Sequence, residues 1–208
     1  LESTIQIVDP YGGIEDLRKR LLIAVLEKNL IEDPLRLLRG FRLSAELNLS
    51  LHEKTIKFIT KNVDSLQTVA KERIKAEIER LVNGICADEV IPVIKKTRLL
   101  GRWEADINNS NTLLLSLKNI STLTAKERAI AEPLIRLTNL LSDQGLKDLG
   151  FSKKKIRECY LLRFWYKKLN KIGYQNIQES QKIQLHKQLE KLLPALIIQL
   201  PLSQQKEW

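Results

Sequence analysis

Hydrophobic residues recur every three or four positions along almost the whole chain, the spacing that gathers them on one face of an α-helix. Ile14, Leu17, Leu21, Leu22, Val25 and Leu26 open this rhythm and predict a helix over 14–26. Asp33-Pro34 starts the next, because Asp is a favoured N-cap and Pro suits a first helical position; its apolar residues Leu35, Leu38, Phe41 and Ala45 carry it to about Glu46. Ser50 caps a predicted helix through Ile59, and another runs from Ala70 to Val82, ahead of Asn83-Gly84. Further helices are expected near 87–99, 111–119, 124–141, 144–149, 152–169 and 178–192, with a last short one after Pro194. Strand character is confined to residues 4–9, which alternate briefly before Pro10, Gly12 and Gly13 break the chain. The expected fold is all-α. The polar segment 101–112 is the best candidate boundary within it, and 171–176 a weaker joint.

Composition narrows this picture. With 208 residues and 43% hydrophobic content the chain can bury one medium core or two small ones. No apolar run reaches the roughly 18–20 residues of a membrane span. No signal-peptide pattern opens the chain, so a cytoplasmic protein without a membrane partner is expected. Cys86 and Cys159 lie far apart, and His52 and His186 complete no metal-ligand spacing. The chain begins with Leu and contains no Met, as a piece of a longer protein would. Its net charge of +10 is concentrated in the second half, where 18 Lys and Arg face 10 Asp and Glu, against 17 and 15 in residues 1–100. Such an excess suits a polyanion, because cations meeting phosphates release condensed counterions; it also suits a merely soluble surface.

The most informative stretch is EDPLRLLRGFR, Glu32 to Arg42. On a helix, residues three apart are neighbours, so Asp33, Arg36, Arg39 and Arg42 form a slanting polar stripe beside the apolar face. An ionised Asp only accepts hydrogen bonds and an Arg only donates them. Adenine and cytosine each present an amino donor beside a ring-nitrogen acceptor, which Asp33 plus Arg36 complements. Guanine and uracil reverse that order, and unpaired buried polar groups cost about 1–3 kcal/mol each. Planar guanidinium forks on Arg39 and Arg42 suit a triphosphate. An ordinary N-cap followed by a solvated arginine face satisfies the same residues.

EDPLRLLRGFRLSAEL resembles the EDPLRLLRAFRFAAQL-type segment of class II tRNA nucleotidyltransferases, the CCA-adding enzymes and their bacterial poly(A) polymerase relatives. Two further segments match in order: VDPYGGIEDLRKRLL, Val8 to Leu22, is similar to the family's DPxGGxxDLxxxxLR, and KERIKAEIERLVNG, Lys71 to Gly84, to its ERIxxELxKLL helix. The resemblance covers about the first 40% of the chain. It implies the helical neck, body and tail of a seahorse-shaped enzyme with a short remnant of its head: residues 1–28 the head remnant and connection, 29–100 the nucleotide-selecting neck, 101–208 a tRNA-binding body and tail. It also implies that Asp33 and Arg36 form the protein template for ATP and CTP, with Arg39 and Arg42 as further nucleotide contacts. Glu32 shapes the neck, Glu72 and Arg73 position neighbouring helices, and Asp16 supports the turn from head to neck. Gly40 stands where the family commonly has Ala.

The family's DxD pair, which holds Mg²⁺ in the head, and its RRDFTxNA segment occur nowhere in these 208 residues. Glu104 and Asp106 have the carboxylate spacing but sit in a turn-rich stretch, a poor substitute for a strand. No catalytic residue and no metal ligand is therefore expected here. Joined to its head, the protein would add C, A or both to tRNA; alone, this part would bind without adding. The alternative is a non-catalytic helical RNA-binding or scaffold module of the same descent. For RNA, the richest segment is SKKKIRECYLLRFWYKKLNK, where Lys153, Lys154, Lys155, Arg157, Arg163, Lys167, Lys168 and Lys171 surround Tyr160, Phe164, Trp165 and Tyr166. Those cations suit the phosphates of a tRNA acceptor arm; the aromatic residues suit either RNA or a core.

Overall fold

The computed structural model describes residues 7–105 and 123–205. The fold is organised on α3 (Leu35–Leu47), whose Leu35, Leu37, Leu38, Phe41 and Ala45 are buried. Against them pack α5 (Lys71–Val82) and α6 (Ala87–Thr97), themselves apolar on the facing side through Ile74, Ile78, Leu81, Ile91 and Ile94. Asn48 ends α3 in the left-handed conformation that Asn tolerates better than most side chains. α4 (Glu53–Lys61) follows, capped by His52, whose ring nitrogen accepts the Lys54 N–H at 3.2 Å.

The predicted helix over 14–26 is not one helix. α1 covers only Gly13–Arg18, the chain reverses at Arg20 (φ 57°), and Leu21–Leu22 form β1 before α2 (Glu27–Glu32). The cause is long-range pairing. β1 runs parallel to β2 (Ser50–Leu51), with the Ser50 N–H donated to the Arg20 carbonyl at 2.8 Å and the His52 N–H to Leu22 at 3.1 Å. Residues 50–51, expected to begin a helix, are thereby drawn into extended structure, and α4 starts at Glu53. Of the alternating segment 4–9, residues 4–6 lie outside the described residues, and 7–9 belong to no strand.

Helix starts in the second half follow the cap chemistry. Thr124 and Glu127 form a reciprocal capping box at α7 (Ala125–Leu140). Ser142 and Ser152 accept the N–H groups of Gly145 and Lys155 at the mouths of α8 (Asp143–Asp148) and α9 (Lys153–Ile172). α10 (Glu179–Leu189) passes through a 3-10 turn into α11 (Leu193–Ile197), and α12 (Leu202–Gln205) closes the described chain. The expected helix near 111–119 lies outside the described residues. α7 packs on α5 and α6 as well as on α9 and α11, so the buried residues of both halves form one continuous cluster.

A lock of charge accompanies that cluster. Arg136 of α7, 4% exposed, makes a two-pronged contact with Asp88 at 2.8 and 2.7 Å. It also donates to the carbonyls of Val82 at 3.1 Å and Gly84 at 3.3 Å, where α5 gives way to α6. A guanidinium buried with this many acceptors joins the elements on either side of residues 106–122.

Two glycines separate backbone necessity from tolerance. A Cβ on Gly84 would stand 2.7 Å from the Ala45 backbone, so α3 and the α5–α6 turn touch through the missing side chain. At Gly40 a Cβ would meet only side-chain ends, Leu51 at 3.3 Å and Leu22 at 4.0 Å. Gly84→Ala is expected to lower stability by about 1–3 kcal/mol through overpacking. Gly40→Ala is expected to leave it unchanged or raise it by up to about 1 kcal/mol through helix propensity. Thermal and urea unfolding of the two variants measures the contrast.

Candidate functional site

The mouth of α3 brings three charged side chains together. Asp33 follows α2 directly in an extended conformation, and its side chain makes no capping bond to α3. Only its backbone carbonyl enters the helix, accepting the Arg36 N–H at 3.0 Å. The carboxylate is thereby available to guanidinium groups: Arg36 Nε lies 3.6 Å from one oxygen and Arg73 Nη2 3.5 Å from the other. Both contacts are long for hydrogen bonds and leave acceptor capacity on the carboxylate. Arg73 thus reaches from the first turn of α5 to the same point, tying that helix to the mouth of α3.

One and two turns further along α3 the arginines diverge in role. Arg39 donates to Glu77 Oε1 at 2.9 Å yet remains about half exposed. Arg42 is 8% exposed, with Nε 2.7 Å from Glu77 Oε2 and Nη1 2.6 Å from Glu46. Its donors are turned inward to carboxylates, which departs from the expectation of a nucleotide contact. Glu77 itself is 6% exposed on α5 and holds both arginines, so it fixes the roll of α3 about its axis. Arg36, Arg39 and Gly40 border an open cleft of about 350 Å³ whose other wall includes Leu22, Ile23 and Thr55. The Thr55 hydroxyl accepts the Ala24 N–H at 3.1 Å, tying the segment after β1 to α4 beside the cleft.

The remaining motif residues occupy the periphery. Glu32 is exposed and pairs with Lys28 at 3.6 Å at the end of α2. Glu72 is exposed in the first turn of α5. Asp16 sits half-exposed in the first turn of α1. The turn before α1 is closed by Asp9, whose two carboxylate oxygens accept the N–H groups of Gly13 at 2.8 Å and Ile14 at 2.9 Å. Those bonds pull its pKa down. Asp9 and Glu77 escaped the sequence reading. The Asp-Pro-x-Gly-Gly spacing signals the first as a turn acceptor, whereas nothing in the sequence around Glu77 marks one glutamate of α5 as buried.

On α9 the cations also divide. Lys153, Lys154, Arg157, Lys167 and Lys171 are exposed, while Lys155 pairs with Glu158 at 3.0 Å. Lys168 lies 5.2 Å from the ring centre of Trp165. Arg163 is committed elsewhere. Its guanidinium donates to the carbonyls of Thr138, at 3.0 Å, and Leu141 and pairs with Asp143, closing the end of α7 and so departing from an RNA contact. Trp165 belongs to the core, with its indole N–H donated to Gln188 at 3.0 Å.

Glu104, the carboxylate weighed as a metal ligand, is half-buried and accepts the Leu100 N–H at 3.1 Å, closing the turn after α6. Burial raises its pKa, opposed by that hydrogen bond and by Arg98 and Lys95. Asp106 lies outside the described residues. Among the described residues no group of three or more His, Cys, Asp or Glu side chains could hold a metal ion. No helix among them is long and apolar enough to cross a membrane.

Known proteins are similar to this chain in sequence and in fold. Residues 48–102 match a family described as the probable RNA- and SrmB-binding site of polymerase A, a span from β2 through the turn after α6. The CC-adding tRNA nucleotidyltransferase of Shouchella clausii is 36% identical over 98 residues, 47% of this chain and 26% of that protein. The CCA-adding enzyme of Geobacillus stearothermophilus is 36% identical over 95 residues, 45% and 24% of the two chains. A second CC-adding enzyme, from Synechocystis, extends the match to 79% of this chain at 25% identity.

Over just under half of its length the chain is more than a third identical to CC-adding and CCA-adding enzymes.

Its matches span less than half the length of these curated relatives, at 26%, 44% and 24%. The fold extends the likeness across the second half. A tRNA nucleotidyltransferase complexed with a primer tRNA and an incoming ATP analogue superposes on all of this chain and 65% of its own, with a TM-score of 0.73 at 20% identity. A CCA-adding enzyme complexed with CTP covers 96% of this chain and 51% of its own, with a TM-score of 0.68 at 15% identity. The helical architecture is therefore shared with these enzymes, and the span that matches the RNA-binding family falls on α4–α6, nearer the N-terminus than the cations of α9.

Removing the Glu77 carboxylate leaves Arg42 buried with Glu46 as its remaining acidic partner. Glu77→Ala is expected to cost about 3 kcal/mol in urea unfolding, and Glu77→Gln less, because the amide oxygen still accepts a bond. Glu104 supplies a pH test. Its folded pKa is raised above the unfolded value, so the folded chain holds this proton more tightly. That preference is fully present below the unfolded pKa and is lost as pH rises through the folded one. Glu104→Gln is expected to remove this downward contribution just above the usual carboxylate range, read from thermal midpoints of wild type and variant between about pH 4 and 7.

Proposed function

We propose that this chain is the nucleotide-selecting and tRNA-binding part of a tRNA nucleotidyltransferase that adds C, A or both to the tRNA 3′ end. In this reading residues 29–100 choose the nucleotide and 101–208 hold the RNA. The observation that carries it is the pairing of an acceptor, Asp33, with a donor, Arg36, which itself lines an open cleft from the first turn of a helix whose orientation is fixed by buried ion pairs. A base in that cleft meets Asp33 with its amino group and Arg36 with its ring nitrogen. Adenine and cytosine fit; guanine and uracil set acceptor against acceptor and donor against donor. Arg39, next along the cleft, presents its exposed side to the phosphates of ATP or CTP, while Arg42 holds the helix. The site selects by hydrogen-bond polarity without a nucleic-acid template.

Transfer itself draws on Mg²⁺, which neutralises charge on the attacking and leaving oxygens. The described residues do not fit such a pair of ions, so in this reading its ligands are carboxylates outside residues 7–105 and 123–205. The reading places the protein in the cytoplasm with tRNA and nucleoside triphosphates as its partners. The curated relatives named above, CC-adding and CCA-adding enzymes, support the reaction class.

In the intact protein, Asp33→Ala and Arg36→Ala are expected to relax selection against UTP and GTP by about tenfold or more, the scale of one or two reversed polar contacts. Equilibrium binding of ATP, CTP, GTP and UTP to wild type and both variants reads this out. An unaltered order of preference in both variants sinks the template.

A further inference from the structure

The outward face of α9 carries more than charge. At about 100° per residue, Lys153, Arg157, Tyr160, Phe164, Lys167, Lys168 and Lys171 fall within about 100° of the helix circumference. They lie opposite the buried Cys159, Leu162, Trp165 and Leu169. The stripe is about 27 Å long and alternates in character: two cations, two rings, three cations. Tyr160 is 52% exposed and Phe164 44%, in a helix whose other large apolar residues are mostly covered. Their rings lie one turn apart and near-parallel, with centres 6.3 Å apart and planes 21° from each other. Lys168 Nζ stands 5.9 Å from the Phe164 ring centre, drawn to its face. Beside Tyr160 an open groove is lined by Lys147 and Asp143 of α8 and by Lys153, Ile156 and Arg157.

Two exposed aromatic residues stacked on each other and bracketed by cations are an expensive arrangement to leave in water. A purely apolar partner leaves the lysines desolvated, and a phosphate backbone alone leaves the rings uncovered. RNA supplies both complements at once, a polyanionic strand for the cations and the flat face of a base for the rings. We propose that Tyr160 and Phe164 form a nucleobase-stacking platform, receiving an unpaired or helix-terminal base of a bound RNA while Lys153, Arg157 and Lys171 hold the flanking phosphates. This rests on the reading of the chain as RNA-binding and adds to it a contact that backbone recognition lacks. The ligand class is an RNA with a base exposed outside continuous stacking, as loops and helix ends offer.

The test measures binding of an unmodified tRNA transcript to the full chain over a range of salt concentrations. Tyr160→Leu with Phe164→Leu is expected to weaken binding by about fivefold or more, the scale of one base–aromatic stack, with the salt slope unchanged. Lys153→Gln with Arg157→Gln is expected to weaken binding and reduce the slope by about one to two, the share of two phosphate contacts. Phe164→Trp keeps a ring and retains affinity, which separates stacking from loss of fold. Inorganic polyphosphate, a polyanion without bases, is expected to show no loss of binding on Tyr160→Leu with Phe164→Leu. Wild-type affinity in that double variant, with loss only in the cation variant, overturns the platform and leaves the charge reading standing. Absence of tRNA binding by the wild-type chain overturns both.

Discussion

One buried carboxylate governs the candidate site. Glu77 sits on α5 with almost no solvent around it and meets two arginines from successive turns of α3. A charge in such a place is tolerated only with opposite charge and hydrogen bonds about it, so α3 can turn neither toward nor away from α5 without stranding it. Arg36, one turn before on α3, inherits that fixed orientation, and Asp33 meets it at the mouth of the same helix. Neither needs deep burial of its own; the helix that bears Arg36 is already held.

A comparable constraint joins the two halves of the chain. Arg136 gathers Asp88 and two carbonyls from the α5–α6 junction, and the continuous core runs beneath it. Lys75 adds a contact from α5 to the turn before α9, donating to the Gly150 carbonyl at 3.0 Å with the Phe151 ring close by. Arg163 then seals α9 to the end of α7. Each of these cations looks, in sequence, like one more contribution to a basic surface. All three are structural because their donors meet carbonyls at or just past helix ends, where unsatisfied acceptors collect.

Helices were legible wherever local rules sufficed. The Thr124–Glu127 box, the Ser152 cap and the apolar spacing of 71–82 state their elements within a few residues. The region 14–26 was not legible, because its helical spacing is overridden by pairing with Ser50–Leu51, almost thirty residues away. The Asp33-Pro34 signal located the start of α3 correctly and misassigned the work of the carboxylate, which turns to Arg36 and Arg73 instead of the helix backbone. Among the arginines, spacing alone could not distinguish Arg39 from Arg42. Only the position of Glu77 across the helix interface makes one half-exposed and the other internal. The aromatic residues of α9 divide for the same reason, since the core takes Trp165 and leaves Phe164, its neighbour in sequence, outside.

The half-exposed Arg39 has a thermodynamic consequence. A long cationic side chain normally surrenders rotamer freedom, on the order of 2 kcal/mol, when it closes on an anion. Arg39 has already given up much of that freedom to Glu77, so an anion arriving on its open side finds a preorganised fork. Its contribution to affinity is then chiefly enthalpic and geometrically selective, whereas the unpaired lysines along α9 must be ordered afresh by whatever they hold.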